Sequence, residues 1–477
     1  MHSAINASVR RLAMAMLLLA VPAQAATAQG TDKAANPGDE RMVAPGDMAK
    51  FAPSESYAMD RPLPAATPHH VGRLHVFETT EEAAPERSPF VAACDAAAAD
   101  PADPTLPAGM RGVALGDLDL ETGARACALA FKSFPTFARS AYNLGRVEMA
   151  RGEIEAGIEA MSVAATENHP LAAMTVAQLY ERGVLPDRGV ADAVPFYELA
   201  AAAGVVEAQL ALGTLLTDGA PGLEPEPGRG ARWFRKAAEQ GVTEAAFELG
   251  WAFENGLGVP RDPITAARWY SRAIDEGSVN AINNLGYLYA NGTGVPRDEE
   301  RAVELYRQAA SLGVSAAMAN LGWMLENGIG TPQDVYEAVR WYDQAAQLGE
   351  PQAMLNLGWL YLAGFDIPRD AGAALDWFKR AHAAGRTEAL SYIGEVYETD
   401  STLRDPVQAA RYYVQALQAG DSWPARRGTS EWDPEMALEM QNALFEVGAY
   451  QGPFDGDMGG ATRAAMDTLL ARSQVGS

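Results

Sequence analysis

The chain has 477 residues, with 37 Lys and Arg against 62 Asp and Glu and a formal net charge of −25. Its 48% of hydrophobic residues can bury a large core, which excludes wholesale disorder; the acidic balance and the lack of a basic stripe exclude a nucleic-acid or anionic-lipid binder. Two cysteines are too few for a four-thiolate zinc or iron–sulfur site.

Residues 1–25 read as a signal peptide. Arg10 and Arg11 precede an apolar run from Leu12 to Val21, too short to span a bilayer, and Ala23-Gln24-Ala25 fits the small-x-small cleavage rule. The expectation is an exported bacterial envelope protein, periplasmic or secreted, without membrane insertion after cleavage. Residues 26–90 are rich in Pro, Ala, Gly and charge and read as a disordered linker; His69, His70 and His75 lie in it without the packed surroundings of a metal site. Residues 91–136 read as a small helical cap carrying Cys94 and Cys127. An oxidising compartment and an even count favour a disulfide, worth about 3–4 kcal/mol by loop entropy; two buried free thiols are the alternative.

Internal repetition then takes over. The glycine of a recurring Leu-Gly pair falls at Gly213, Gly250, Gly286, Gly322, Gly358 and Gly394, with Gly145 and the substituted Ala177 before them. An aromatic pair recurs in register, as in Trp269-Tyr270 and Trp341-Tyr342, and a further glycine follows eight residues after the first member, as in Gly277 and Gly349. Each unit reads as two helices. Helix A holds Ala-x-x-x-Leu-Gly-x-x-Tyr and ends at Asn-Gly, residues that tolerate a left-handed cap. A Gly-x-Gly-Val-Pro-Arg-Asp loop follows, placing Asp262, Asp298, Asp334 and Asp370 to cap helix B. The Leu-Gly glycine sits mid-helix at a cost of about 1 kcal/mol relative to Ala, so a close approach of the two helices is expected there.

With these three markers the units resemble Sel1-like repeats, cousins of tetratricopeptide repeats, over about seven units at 170–421; residues 137–169 resemble an ordinary tetratricopeptide unit. The resemblance implies an all-α, right-handed α-solenoid that serves as a scaffold for protein contacts, not for catalysis. After a linker at 422–433, residues 434–474 resemble a peptidoglycan-binding-like domain through Gly448, Tyr450, Gly452, Asp455, Gly456, Gly459 and Thr462. This second resemblance implies peptidoglycan as a further partner.

Nothing in the motifs carries chemistry. The Gly-x-Gly loops lack a following Gly-Lys-Ser or Gly-Lys-Thr, and neither His-Glu-x-x-His nor Gly-x-Ser-x-Gly occurs. No cofactor, no metal and no catalytic residue is expected. The informative position follows the Leu-Gly glycine, where Trp251, Tyr287, Trp323 and Trp359 stand about 100° off the core stripe in four consecutive repeats. These rings either pack on neighbouring helices or form a ladder along an inner groove, the face that the corresponding position lines in tetratricopeptide proteins. Asn284, Asn320 and Asn356, two residues before the glycine, either grip a bound peptide backbone or satisfy buried polar groups between helices. The expected function is a non-enzymatic exported scaffold binding a protein or peptide in the groove and peptidoglycan through its C-terminal module. The alternatives are a soluble regulator without wall affinity and a cell-wall enzyme or enzyme subunit.

Overall fold

A computed structural model describes residues 85–184, 189–364 and 366–475. The expected signal peptide and nearly all of the expected N-terminal linker lie outside the described residues. The chain divides into two compact units at the boundary between Glu276 and Gly277.

The first unit opens with α1 (Pro89–Ala98) and α2 (Leu120–Ser133). Four helix pairs follow: α3 (Ala138–Arg151) with α4 (Ile154–Thr166), α5 (Pro170–Glu181) with α6 (Val194–Ala202), α7 (Val206–Asp218) with α8 (Pro227–Glu239), and α9 (Thr243–Asn255) with α10 (Pro263–Asp275). The second unit has the pairs α11 (Val279–Asn291) and α12 (Glu299–Ser311), α13 (Ser315–Asn327) and α14 (Val335–Gln347), α15 (Pro351–Ala363) and α16 (Ala371–Ala383), and α17 (Ala389–Thr399) and α18 (Pro406–Gln418). The one-turn α19 (Trp423–Arg426), then α20 (Pro434–Glu446) and α21 (Gly460–Val475), close it. Among the described residues there is no strand, only the isolated bridge between Ala220 and Leu223. The architecture is the expected all-α solenoid of helix pairs.

The loop motif is explained by its hydrogen bonds. Asp262, Asp298, Asp334 and Asp370 each accept from backbone N–H groups in the first turn of the following helix, as expected. Upstream, Gly256, Gly292, Gly328 and Gly364 hold the left-handed cap, at φ between 64° and 77°. The preceding Asn255, Asn291 and Asn327 donate from Nδ2 to the carbonyl four residues back. Arg261 and Arg369 donate from Nε to the carbonyls of Glu254 and Leu362. The motif thereby fills carbonyls that a helix end leaves open.

The Leu-Gly glycine has the expected reason. A Cβ at Gly250 would lie 2.8 Å from the Tyr270 ring, and one at Gly322 would lie 2.7 Å from Tyr342. The second aromatic of helix B presses its face on the glycine Cα of helix A and is fully buried there. In four repeats this aromatic is a Tyr whose hydroxyl finds a carboxylate four residues past the glycine position. Tyr270 donates to Glu254 at 2.8 Å and Tyr342 to Glu326 at 2.7 Å, while Tyr197 and Tyr413 donate to Glu181 and Glu398.

At the N-terminal end Cys94 and Cys127 form a disulfide between α1 and α2. The helices begin at Pro89, two residues before the expected boundary. Buried polar contacts tie α1 and the segment after it to the first repeats. Asp95 meets Arg139 at 3.1 Å and accepts from Asn143 at 3.0 Å, and burial pushes the Asp95 carboxyl up. Asp103 meets His169 Nε2 at 3.2 Å, with Tyr142 stacked on the imidazole.

The segment expected as a linker at 422–433 is ordered and packed. Arg427 is held bidentately by Glu398 and lies 4.0 Å from the Trp432 ring centre, with Trp423 on another side. One continuous core joins α18, α20 and α21 through Tyr413, Trp432, Met436, Met440, Tyr450 and Met466. The physical reason is aromatic: Trp423 and Trp432 give a short Pro- and Gly-containing segment enough apolar area to dock.

Candidate partner-binding surface

On each helix A, the positions six and two before the glycine and one after it follow an i, i+4, i+7 spacing and share one stripe. In the second unit that stripe carries Tyr287 on α11, Trp323 on α13 and Trp359 on α15. Tyr287 is buried. Trp323 and Trp359 are half-buried. Trp359 packs edge-on against Tyr392 at 4.7 Å and Phe378 at 5.8 Å, so its ring joins one repeat to the next while keeping an open edge. Burial pushes the Tyr392 phenol up to about 12, helped by Glu388 and Asp421.

The amides beside these rings are spent on the fold. Asn283 donates to Asn284 Oδ1 at 3.1 Å, and Asn320 donates to Asn283 Oδ1 at 3.0 Å, linking α11 to α13. Gln352 donates to Asn356 Oδ1 at 3.0 Å, and Arg386 of the next repeat donates to Gln352 Oε1. Asn284, Asn320 and Asn356 are all buried. Of the two readings open from sequence, these contacts match the one in which the amides satisfy polar groups between helices. Two groups of bonded amides, Asn283 with Asn284 and Asn320, and Gln352 with Asn356, thus lie beside the aromatic stripe.

In the first unit the same stripe on α9 is Glu244, Glu248 and Trp251. Trp251 is only 6% exposed, and its indole Nε1 is buried without a hydrogen-bond partner. Glu248 stands at the register of the asparagines. Burial, with Glu244 and Asp218 adding their negative charge, pushes its carboxyl up to about 8.

The C-terminal motif residues build a loop. Gln441 of α20 donates to Asp455 Oδ1, the Asp457 carbonyl and Thr462 Oγ1, and its Oε1 accepts from the N–H groups of Asp455 and Gly456. Tyr450 is buried and donates to the Pro453 carbonyl at 2.6 Å; a Cβ at Gly452 would strike that ring. Gly448 and Gly456 take left-handed backbone, and a Cβ on Gly459 would meet Asp457. The exposed apolar groups of this module are Phe445, Val447 and Phe454, and the two phenyl rings contact edge to face at 5.5 Å.

Among the described residues no cluster of three or more His, Cys, Asp or Glu could hold a metal ion. Asp119 caps α2 through Thr122, and His382 is exposed on the last turn of α16. Sequence reasoning missed the Tyr–Glu bonds, the Asp103–His169 contact and the Glu248 position; Gln441 belongs to the residues that carry the C-terminal resemblance, and the structure adds its hydrogen bonds. The first left a trace. Where helix B carries Phe378 instead of Tyr, the carboxylate position holds Leu362, and where it carries Phe234 it holds Thr217; the Tyr306 repeat departs from this, with Ala290 there.

Comparison with known proteins agrees with this geometry. The Sel1 repeat family model matches residues 206–242, 243–278, 279–314, 315–350, 351–385 and 387–421. That is six units rather than the expected seven or so; 170–205, where Ala177 stands in the glycine position, falls outside the match. A protective antigen present in uropathogenic Escherichia coli strains, displaying an SLR fold, is 24% identical over 74% of this chain and 79% of its own, with a TM-score of 0.51. A Sel1 repeat protein from Oxalobacter formigenes is 29% identical over 51% of this chain and 96% of its own, with a TM-score of 0.45. The chain matches none of the curated proteins. The chain thus carries six Sel1 repeats, consecutive in sequence over residues 206–421.

Proposed function

We propose that the protein is a non-catalytic, exported interaction scaffold that captures a polypeptide partner on the helix-A stripe and is held near peptidoglycan by its C-terminal module. The observation that carries the scaffold reading is the half-buried state of Trp323 and Trp359 beside hydrogen-bonded amides. Rigid rings with an open edge offer large contact area at low entropic cost, which is why Trp and Tyr dominate interface hot spots. Two buried cysteines joined as a disulfide support export, since such bonds persist in oxidising compartments.

Trp323→Ala is the cleaner probe, because Trp359 also supports Phe378 and Tyr392. The wild-type chain is expected to crosslink to one envelope partner, and a folded W323A chain to lose at least about 1 kcal/mol of that affinity. Capture unchanged in a folded variant removes the stripe from the binding surface.

The wall reading rests on the resemblance of residues 434–474 and on the exposed Phe445 and Phe454. A second reading has a specific observation in its favour. The motif's polar atoms at Asp455 and Thr462 bond within the loop, and the module shares its core with α18, so it also suits an end cap on a soluble regulator. Full-length protein sedimenting with purified sacculi, and F445A/F454A failing to do so, supports the wall association; both staying in solution supports the regulator.

A further inference from the structure

Helices α8 and α10, the second helices of two consecutive repeats in the first unit, carry six basic residues and two acidic ones, in a chain where 62 acidic residues outnumber 37 basic ones. Arg229 is spent on Glu198 and Glu226, and Arg272 on Glu276. The other four, Arg232, Arg235 and Lys236 on α8 and Arg268 on α10, are exposed and make no ion pair with any described residue. Glu239, one turn further along α8, pairs with none of them. Helix α12 shows the opposite habit: Arg301 meets Glu304 and Arg307 meets Glu337.

The four cations belong to one place. Arg232, Arg235 and Lys236 follow an i, i+3, i+4 spacing and so share one face of α8, away from the buried Phe234, Ala237 and Ala238. Arg268 holds on α10 the register that Arg232 holds on α8, directly before the Trp of the aromatic pair. The two helices touch, because Arg272 of α10 donates to the Ala238 carbonyl of α8 at 2.6 Å. Lys236 lies 4.2 Å from the centre of the half-buried Trp233 ring, which places its ammonium before any partner arrives. Ile264, 55% exposed, stands one turn before Arg268 and adds apolar area beside the charge. Like charges one turn apart destabilise a helix, so the cluster is a cost that nothing among the described residues offsets.

What offsets it is an anion, and the extent of the patch selects the kind. A nucleic-acid strand or an anionic bilayer presents charge well beyond four cations and would lie against the rest of a chain of formal charge −25. A short acidic polypeptide segment does not have to extend past the cluster. Packed helix axes stand about 10 Å apart, so about five extended residues cross both helices. We infer that the outward face of α8 and α10, through Arg232, Arg235, Lys236 and Arg268, docks a short acidic segment of a partner polypeptide. This surface lies on the second helices of its repeats and is separate from the helix-A stripe.

The test uses the full chain and a fluorescein-labelled decapeptide of alternating Glu and Ala, read by polarisation at low ionic strength. Wild type is expected to bind it saturably, and R232Q/R235Q to bind it about tenfold more weakly. Raising the salt to about 1 M, where the screening length falls to about 3 Å, is expected to release it. R125Q/R301Q removes the same charge from two exposed arginines that already hold Glu121 and Glu304, and is expected to change nothing. A decapeptide of alternating Lys and Ala is the reference, and its binding to an acidic chain is expected to be untouched by R232Q/R235Q. No saturable binding of the Glu peptide, binding unchanged in R232Q/R235Q, an equal loss in R125Q/R301Q, or an equal loss of the Lys peptide overturns the inference. An oligonucleotide or phosphatidylglycerol vesicles that bind wild type more tightly than the Glu peptide, and lose that binding in R232Q/R235Q, also overturn it and give the face to nucleic acid or to lipid.

Discussion

A tyrosine hydroxyl and a glutamate carboxylate sixteen positions apart meet in the core of several repeats, and the pair explains why a glycine is kept mid-helix. The Tyr342 ring can reach Glu326 only by lying across the Cα of Gly322, where a methyl group would stand 2.7 Å from it. In a free helix, Gly→Ala stabilises by about 1 kcal/mol. Here overpacking costs about 1–3 kcal/mol and outweighs that gain. G322A is therefore expected to lower the denaturation midpoint of the full chain, followed by circular dichroism; a raised midpoint would show that the ring is not held against the glycine. The glycine's purpose was legible from its recurrence, because a repeated cost implies a repeated contact. The carboxylate was not, since it lies beyond the three markers and shows itself only when repeats with Phe are set beside repeats with Tyr. The Asp103–His169 contact left no periodic trace at all, because Asp103 belongs to no repeat.

At the scale of the helix and its loop, local chemistry decides most of what is seen. Each expected Asp cap bonds the helix that follows it, and the cysteines pair as the compartment argument favours. Legibility ends where one stripe serves two purposes. Period alone places Trp359 and Asn356 off the core face, but only the contacts with Tyr392 and Gln352 separate packing from display. Helix α9 gives this a thermodynamic signature. With the Glu248 carboxyl pushed up to about 8 by burial and by Glu244 and Asp218, the folded chain holds a proton that the unfolded chain releases near pH 4.5. Stability then falls as pH rises from about 4.5 to about 8 and levels off above that. E248Q lacks this loss. Its melting temperature is expected to match wild type below pH 4.5, exceed it increasingly through neutrality, and keep a constant margin above pH 8. A margin independent of pH would mean that Glu248 titrates normally and is not desolvated.

For the second unit as a whole, the open question of any solenoid is how its last repeat is closed, because each repeat buries its apolar face only against a neighbour. Here α20 and α21 close it, sharing a core with α18 through Met436, Met440 and Met466. Arg427 is the fastening. Its guanidinium is 9% exposed, bonded twice to Glu398 and set against Trp423 and Trp432. Removing one partner of such a buried pair leaves Glu398 uncompensated and costs about 3–5 kcal/mol. R427A is therefore expected to speed amide exchange in α20 and α21 by about two to four orders of magnitude, while α11 to α14 keep their protection in the same hydrogen-exchange experiment. Uniform loss across the unit would mean that it unfolds as one body, and no loss would mean that the apolar core alone holds the module. The first outcome also bears on function. A module that opens locally while the array stays folded can be altered without sacrificing the repeats, whereas cutting the chain after Gly420 would strip the apolar face of α18. Substitutions within the intact chain are thus the sound way to ask whether this module touches the cell wall.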